Sequence, residues 1–223
     1  MADEQVAVID YGVGNLLSVR RALEHCGAQV VVSAEPDVIL AATRVVLPGV
    51  GAFAKGMAEL HSADLDTVAR EVAARGIPLL GICLGMQMLL DESEEFGVTR
   101  GLGLIPGRVV AVSPTTANGN VRKIPHIGWN SLVPSPGCEN WLDTPLRNIR
   151  IADEVYFLHS FMADPSNAAD RLADCVYDGL PISAAIARGN VFGCQFHPEK
   201  SGEVGLNVLR AFLADAQISA HGG

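Results

Sequence analysis

Short apolar runs alternate with longer amphipathic stretches over the first eighty positions. "QVAVIDYG" (5–12) reads as a strand and "NLLSVRRALEHCG" (15–27) as a helix stopped by Gly27. "AQVVVS" (28–33) is a second strand, "EPDVILAA" (35–42) a short helix and "RVVLPG" (44–49) a third strand. Beyond a glycine loop, residues 53–76 predict helix, and "IPLLGI" (77–82) is a nearly continuous apolar strand. Strands that are apolar on both faces, alternating with helices, predict a mostly parallel sheet covered on both sides.

The second half changes character. "GRVVAVSP", "RKIPHIGWNSLVP", "EVYFLHSFMA", "LADCVYDG", "PISAAIARGN" and "VFGCQFHPE" are strand-like runs separated by Gly, Pro and Asn. "AIARGNVFG" predicts a hairpin turning at Gly189-Asn190, and "EVGLNVLRAFLADA" (203–216) a closing amphipathic helix. With no repeat and no low-complexity linker, the pattern predicts one α/β domain over residues 1–223. Its central, mostly parallel sheet is flanked by helices and carries an antiparallel β extension in its second half.

Composition sharpens this in three ways. Hydrophobic residues make up 49% of the 223, which fits a buried parallel sheet and an apolar face kept for a partner. A net charge of −9 argues against nucleic acid or an anionic membrane surface as the main partner. The longest apolar stretch, around 79–90, is interrupted by Gly81, Gly85 and Gln87 and is far short of the ~20 residues that span a bilayer. No secretory signal pattern opens the chain. Its five cysteines (26, 83, 138, 175 and 194) are odd in number and lack C-x-x-C spacing, which predicts reduced thiols in a cytoplasm rather than a disulfide framework or a zinc knot.

Candidate chemistry centres on "LLGICLGMQMLL" (79–90). Cys83 there reads either as a small hydrophobe in a core or as a nucleophile. The flanks favour the nucleophile. A strand runs through Gly-Ile-Cys-Leu-Gly into the helix-forming "MQMLLDESEE" (86–95), the pattern of an elbow that exposes its middle side chain. The helix N-terminus behind it favours a thiolate, and Gln87, one turn on, shares the face. A nucleophile needs a base and an orienter. "GCQFHPEK" supplies His197 at a strand end, with Pro198 biasing it to an extended conformation and Glu199 projecting to the same side. An acid that follows the histidine disfavours an α/β-hydrolase.

"LPGVGAF" (47–53) is either a strain-relieving turn or a row of backbone N–H groups forming an oxyanion hole. "DYGVGN" (10–15) is similar to a dinucleotide loop but has Leu17 where a third glycine belongs, so nucleotide binding is a weak reading.

Together "LPGVGAF", "GICLGMQ" and "GCQFHPEKSG" resemble the triad-type, class I glutamine amidotransferases over nearly the whole chain. Within that superfamily, "DYGVGNLLSVRRAL", "PHIGWN" and "YFLHSF" resemble the HisH family, the glutaminase subunit of imidazole glycerol phosphate synthase. The resemblance implies a Cys83–His197–Glu199 triad. It also implies an oxyanion site from the 48–51 segment (Gly49, Val50 and Gly51) and the Leu84 N–H, with Gly51, Gln87 and the Ser160–Phe161 segment holding glutamine. Many members of the family carry Tyr where this chain has Phe161. Implied too are no metal or cofactor, and a heterodimer with a (β/α)₈ HisF-type cyclase that receives the ammonia. Asn15, Trp129, Tyr156 and Lys200 are then interface candidates, Trp129 reading equally as a core residue. Other readings are an amidotransferase of another pathway, a thiol hydrolase, or a non-catalytic scaffold.

Overall fold

The computed structural model describes residues 5–214. Its first half follows the predicted alternation: β1 (Gln5–Ile9), α1 (Leu16–His25), β2 (Gln29–Ser33), α2 (Pro36–Ala41), β3 (Arg44–Gly49), α3 (Phe53–Ser62), α4 (Leu65–Ala74), β4 (Leu79–Cys83) and α5 (Leu84–Met88). Two short strands, β5 (Glu92–Ser93) and β6 (Thr99–Arg100), lead to β7 (Gly107–Ala111), β8 (His126–Ser131) and β9 (Val133–Pro134). Then come β10 (Glu154–His159), β11 (Phe161–Pro165), β12 (Arg171–Tyr177), β13 (Leu180–Arg188), β14 (Val191–Cys194) and α6 (Gly202–Ala214). The predicted last helix runs to residue 216, so its end lies outside the described residues.

The main sheet has the order β2-β1-β3-β4-β14-β13-β12-β9. Pairing is parallel from β2 to β14 and antiparallel from β14 to β9, which is the predicted core and extension. The predicted hairpin forms, with Arg188 opposite Val191 and Gly189 at φ +56°. Alternate residues of β1 feed the two faces. Val6 and Val8 pack with Leu23, Phe196 and Phe212, whereas Ala7 and Ile9 pack with Phe53, Leu60 and Val72. β3, β4 and β14 are buried along their whole length, which is why β4 reads as a nearly continuous apolar run.

Register does the work of assembling a site. Gly49 pairs with Cys83 across β3 and β4, and Cys194 pairs with Ile82 across β14 and β4. Thus "LPGVG", the cysteine elbow and the start of "GCQFHPE" meet at the carboxyl ends of three adjacent strands, where open α/β sheets place ligands.

Some predicted elements divide or stop short in the structure. The 53–76 helix breaks at Asp64, φ +54°, into α3 and α4. Leu60 and Leu65 are both fully buried in one cluster, yet they would sit about 140° apart on a continuous helix. The break lets both reach the core. The helix expected over 86–95 stops at Met88, because Leu102 and Gly103 donate their N–H groups to the carbonyls of Met88 and Leu90 (2.8 and 3.0 Å). "EVYFLHSFMA" splits at Ser160 into β10, which pairs with β8, and β11, which pairs with β7. Among the described residues no helix is long and apolar enough to cross a membrane.

The elbow depends on missing side chains. A Cβ on Gly85 would lie 1.9 Å from the Leu47 carbonyl oxygen, so α5 packs against β3 only with glycine there. Gly85→Ala is therefore expected to destabilise by roughly 3 kcal/mol or more, since the backbone itself must move. Urea unfolding measures this, and an unchanged midpoint contradicts it.

Candidate active site

β4 ends in Cys83, whose φ of +54° and ψ of −109° lie in a region that non-glycine residues rarely occupy. The strain turns the chain sharply from strand into α5, and the side chain at the turn borders both the core and a cavity at the strand's end. Cys83 is 7% exposed. Its Sγ donates toward the Leu158 carbonyl at 3.8 Å and receives the Gln195 side-chain amide at 3.7 Å.

His197 follows β14. Its backbone N–H bonds to the Tyr156 carbonyl (2.9 Å) and its carbonyl accepts the Ser201 hydroxyl (2.6 Å), which fixes the backbone on both sides of the ring. Pro198 opens a single helical turn that carries Glu199 back toward the imidazole, and Nδ1 lies 2.9 Å from Glu199 Oε1. Both side chains are almost fully buried. Burial alone would lower the imidazole pKa, but Cys83 and Glu199 raise it to about 9, so the proton is held at neutral pH. His197 Nε2 finds no hydrogen-bond partner among the described protein atoms, which leaves it available to a proton in transit.

Cys83 and His197 line one cavity of about 240 Å³ with the expected Val50, Gly51, Leu84, Gln87, Ser160 and Phe161. Glu199 stands behind His197. Gly49 lies beneath the elbow, where a Cβ would come within 2.7 Å of Tyr11 Oη and 2.8 Å of Gly85 N. Close approach therefore demands glycine at this position. The Phe161 carbonyl accepts the Gln87 amide (3.0 Å) and lies 2.8 Å from His159 Nδ1, so this residue joins the site through its backbone. Its ring instead meets Phe96, with centroids 6.5 Å apart.

Several residues escaped the sequence reading. Glu95 lines the cavity, and its Oε2 accepts the Phe53 N–H at the start of α3 (2.6 Å). It lay in an acidic run that read as helix, and its partner at the start of α3 is 42 positions earlier in the chain, so no local signal pointed to it. His126 Nδ1 lies 2.9 Å from His159 Nε2. Burial pushes these imidazoles down to about 4 and 3 respectively, so both are neutral. Tyr11, from the motif read as a weak dinucleotide loop, donates its hydroxyl to the Pro48 carbonyl (2.7 Å) and tethers the 48–51 segment. Burial and, secondarily, Cys83 raise its pKa, so the phenol keeps the proton it donates.

The interface candidates reach the surface. Trp129 is 53% exposed, while the chain's other tryptophan, Trp141, is the core residue and donates to the Leu172 carbonyl (2.8 Å). Trp129 stands opposite Tyr156 across the β8–β10 ribbon, and Lys200 Nζ sits 5.9 Å from the Tyr156 ring centre. Ile127 and Leu158, the next pair on that face, are also exposed, and Leu158 borders the cavity. Asn15 is half-buried ahead of α1 and makes no side-chain cap. Among the described residues no cluster of His, Cys, Asp and Glu is arranged to hold a metal ion.

A strained cysteine facing a buried His–Glu pair on a parallel sheet defines a class, and comparison with known proteins agrees. The chain matches the class-I glutamine amidotransferase family over residues 7–216 and belongs to it. More narrowly, it belongs with the imidazole glycerol phosphate synthase subunit HisH proteins. It is 54% identical to the HisH 1 subunit of Legionella pneumophila (strain Lens) over 93% of this chain and 98% of that one. Its identity to HisH of Methylococcus capsulatus is 50%, covering 93% and 95%. The fold matches a crystal structure of a glutamine amidotransferase at TM-score 0.68 and 18% identity, covering 94% of this chain and 98% of that one. It also matches the glutaminase domain of Trypanosoma brucei CTPS at TM-score 0.60 and 16% identity, covering 93% of each.

Proposed function

We propose that this chain, as a single domain, is the glutaminase subunit of imidazole glycerol phosphate synthase and hydrolyses glutamine through Cys83. The observation that carries the reading is Cys83 on its positive-φ elbow, sharing a cavity with His197, which in turn meets Glu199 at 2.9 Å. The cavity suits an amino acid. Glu95 offers a carboxylate to an α-ammonium group, and Gln87 and the Ser160–Phe161 backbone border the same space.

In the resting site the proton given up by the Cys83 thiol already sits on His197, as a thiolate–imidazolium pair. The thiolate attacks the glutamine carboxamide carbon, and the new oxyanion is met by the N–H of Leu84 and those of Val50 and Gly51, which border the same cavity. His197 Nε2 then delivers its proton to nitrogen as the C–N bond breaks, which releases ammonia and leaves a γ-glutamyl thioester. Water, deprotonated by His197, hydrolyses the thioester to glutamate and restores the thiolate–imidazolium pair. No step calls for a metal or an organic cofactor.

Free ammonia is useful only if it is delivered to a second active site. The strip of exposed Ile127, Trp129 and Leu158 with half-buried Tyr156 beside the cavity mouth supports docking of a HisF-type cyclase there, with Asn15 and Lys200 at its margin. Trp129 is a large aromatic anchor of the kind enriched in interface hot spots. Cyclase and glutaminase together make imidazole glycerol phosphate and AICAR, in the cytoplasm. The test is glutaminase turnover for the isolated chain, the complex, and the complex with the cyclase's ribonucleotide ligand. The expected order is near silence, modest activity, then full activity; full activity from the isolated chain contradicts a gated subunit.

A further inference from the structure

We infer that Gln195 holds the reactive sulfur, at the end of a hydrogen-bond chain whose direction is imposed by a backbone carbonyl. The inference rests on Cys83 being the nucleophile and adds a residue that the triad does not contain.

The direction can be read link by link. A carbonyl oxygen only accepts, so the Gln87 group 3.0 Å from Phe161 O must be its NH₂. The same Gln87 Nε2 lies 3.0 Å from the side chain of Gln195, which must then present its oxygen. With Oε1 committed to Gln87, the Gln195 NH₂ is turned toward Cys83 Sγ at 3.7 Å. Neither amide can flip alone without setting two oxygens, or two NH₂ groups, against each other.

The far end is anchored as well. His159 Nδ1 also lies at 2.8 Å from Phe161 O and must donate to it. That leaves His159 Nε2 as acceptor for His126 Nδ1 at 2.9 Å. The Phe161 carbonyl is held by two donors and has no freedom to rotate away from Gln87.

The consequence appears when the thiol ionises. As a thiol, Cys83 donates toward the Leu158 carbonyl at 3.8 Å. Once the proton has left, that carbonyl opposes the negative charge, and the Gln195 N–H supplies a compensating dipole. Gln195 is fully buried, so this donor is not diluted by water. Its place just before Phe196 and His197, at the end of β14, puts the thiolate donor and the base on one rigid segment.

The test is alkylation of Cys83 by iodoacetamide in the full-length chain, followed by peptide mass spectrometry at a series of pH values. Gln195→Met removes the donor at similar volume. Gln195→Glu keeps the acceptor for Gln87 but turns an oxygen toward sulfur. Each is expected to slow Cys83 alkylation about tenfold at neutral pH, the scale of one hydrogen bond to a charged group, with the deficit closing as the pH rises. Wild-type rates in both variants, with Cys83 labelling normally in the parent, overturn the role of Gln195 and leave the nucleophile standing. A parent chain in which Cys83 resists labelling removes both. Should neither variant fold, the Gln195 side-chain amide signal in ¹⁵N–¹H spectra decides. It is expected to move upfield in Cys83→Ala, and an unmoved signal overturns the inference.

Discussion

Cys83→Ala in the assembled synthase is expected to lower glutamine hydrolysis by on the order of 10⁵-fold or more, because no group remains to form the thioester. The remaining cysteines cannot substitute. Cys175 and Cys194 are buried in the core, and burial pushes the Cys175 thiol up to about 12 and that of Cys194 well above its ordinary value. Cys26 is spent on the Leu206 carbonyl at 3.6 Å, and Cys138 lies in a turn of the second half. The variant should fold normally, since alanine removes a sulfur from a cavity wall and leaves the glycines that shape the elbow in place. Comparing glutamate release with ammonia-supplied synthesis separates the two functions. The first should vanish and the second persist. Residual glutaminase within tenfold of wild type would mean that another nucleophile carries the reaction.

Removing the base is expected to cost nearly as much as removing the nucleophile. His197→Asn should lose about 10⁵-fold, whereas Glu199→Gln should lose less, on the order of 10⁴-fold, because imidazole is still present but is neither oriented nor stabilised as a cation. The pH dependence carries the sign. In the folded site the His197 pKa is raised to about 9, so the imidazolium is present at neutral pH and is lost as the pH rises through that value. Acid catalysis of ammonia departure therefore declines on the alkaline side. Glu199→Gln takes away one of the two partners that raise the pKa and leaves the opposing effect of burial. The alkaline limb of the remaining activity should move to lower pH. Equal wild-type activity in both variants removes the His–Glu pair from the mechanism.

Sequence patterning carried the fold as far as periodicity reaches. β4, and β1 and β3 beyond their opening Gln5 and Arg44, were legible because a strand buried on both faces has no polar position to confuse the period. The elbow was legible because it needs two glycines around one nucleophile. What stayed hidden depended on contacts between distant segments. The helix expected over 86–95 had every local signal for continuing, yet the 101–104 segment captures its terminal carbonyls. Glu95 became a cavity residue only because that helix stops. Tyr11 and Pro48 are 37 positions apart, and Gln195 and Cys83 are 112 apart, so no spacing rule could join them. Trp129 was ambiguous from sequence because a tryptophan in a strand suits a core or a surface equally. The β8–β10 ribbon leaves its outer face uncovered, and that placed Trp129 outside.

One cysteine of five is chemically distinct because of where the fold puts it. A glutamine-like electrophile, followed by peptide mass spectrometry, tests this most directly. One equivalent of label is expected on Cys83, lost on competition with glutamine and absent in Cys83→Ala. Label on Cys26, Cys138, Cys175 or Cys194 with Cys83 unmodified would contradict it.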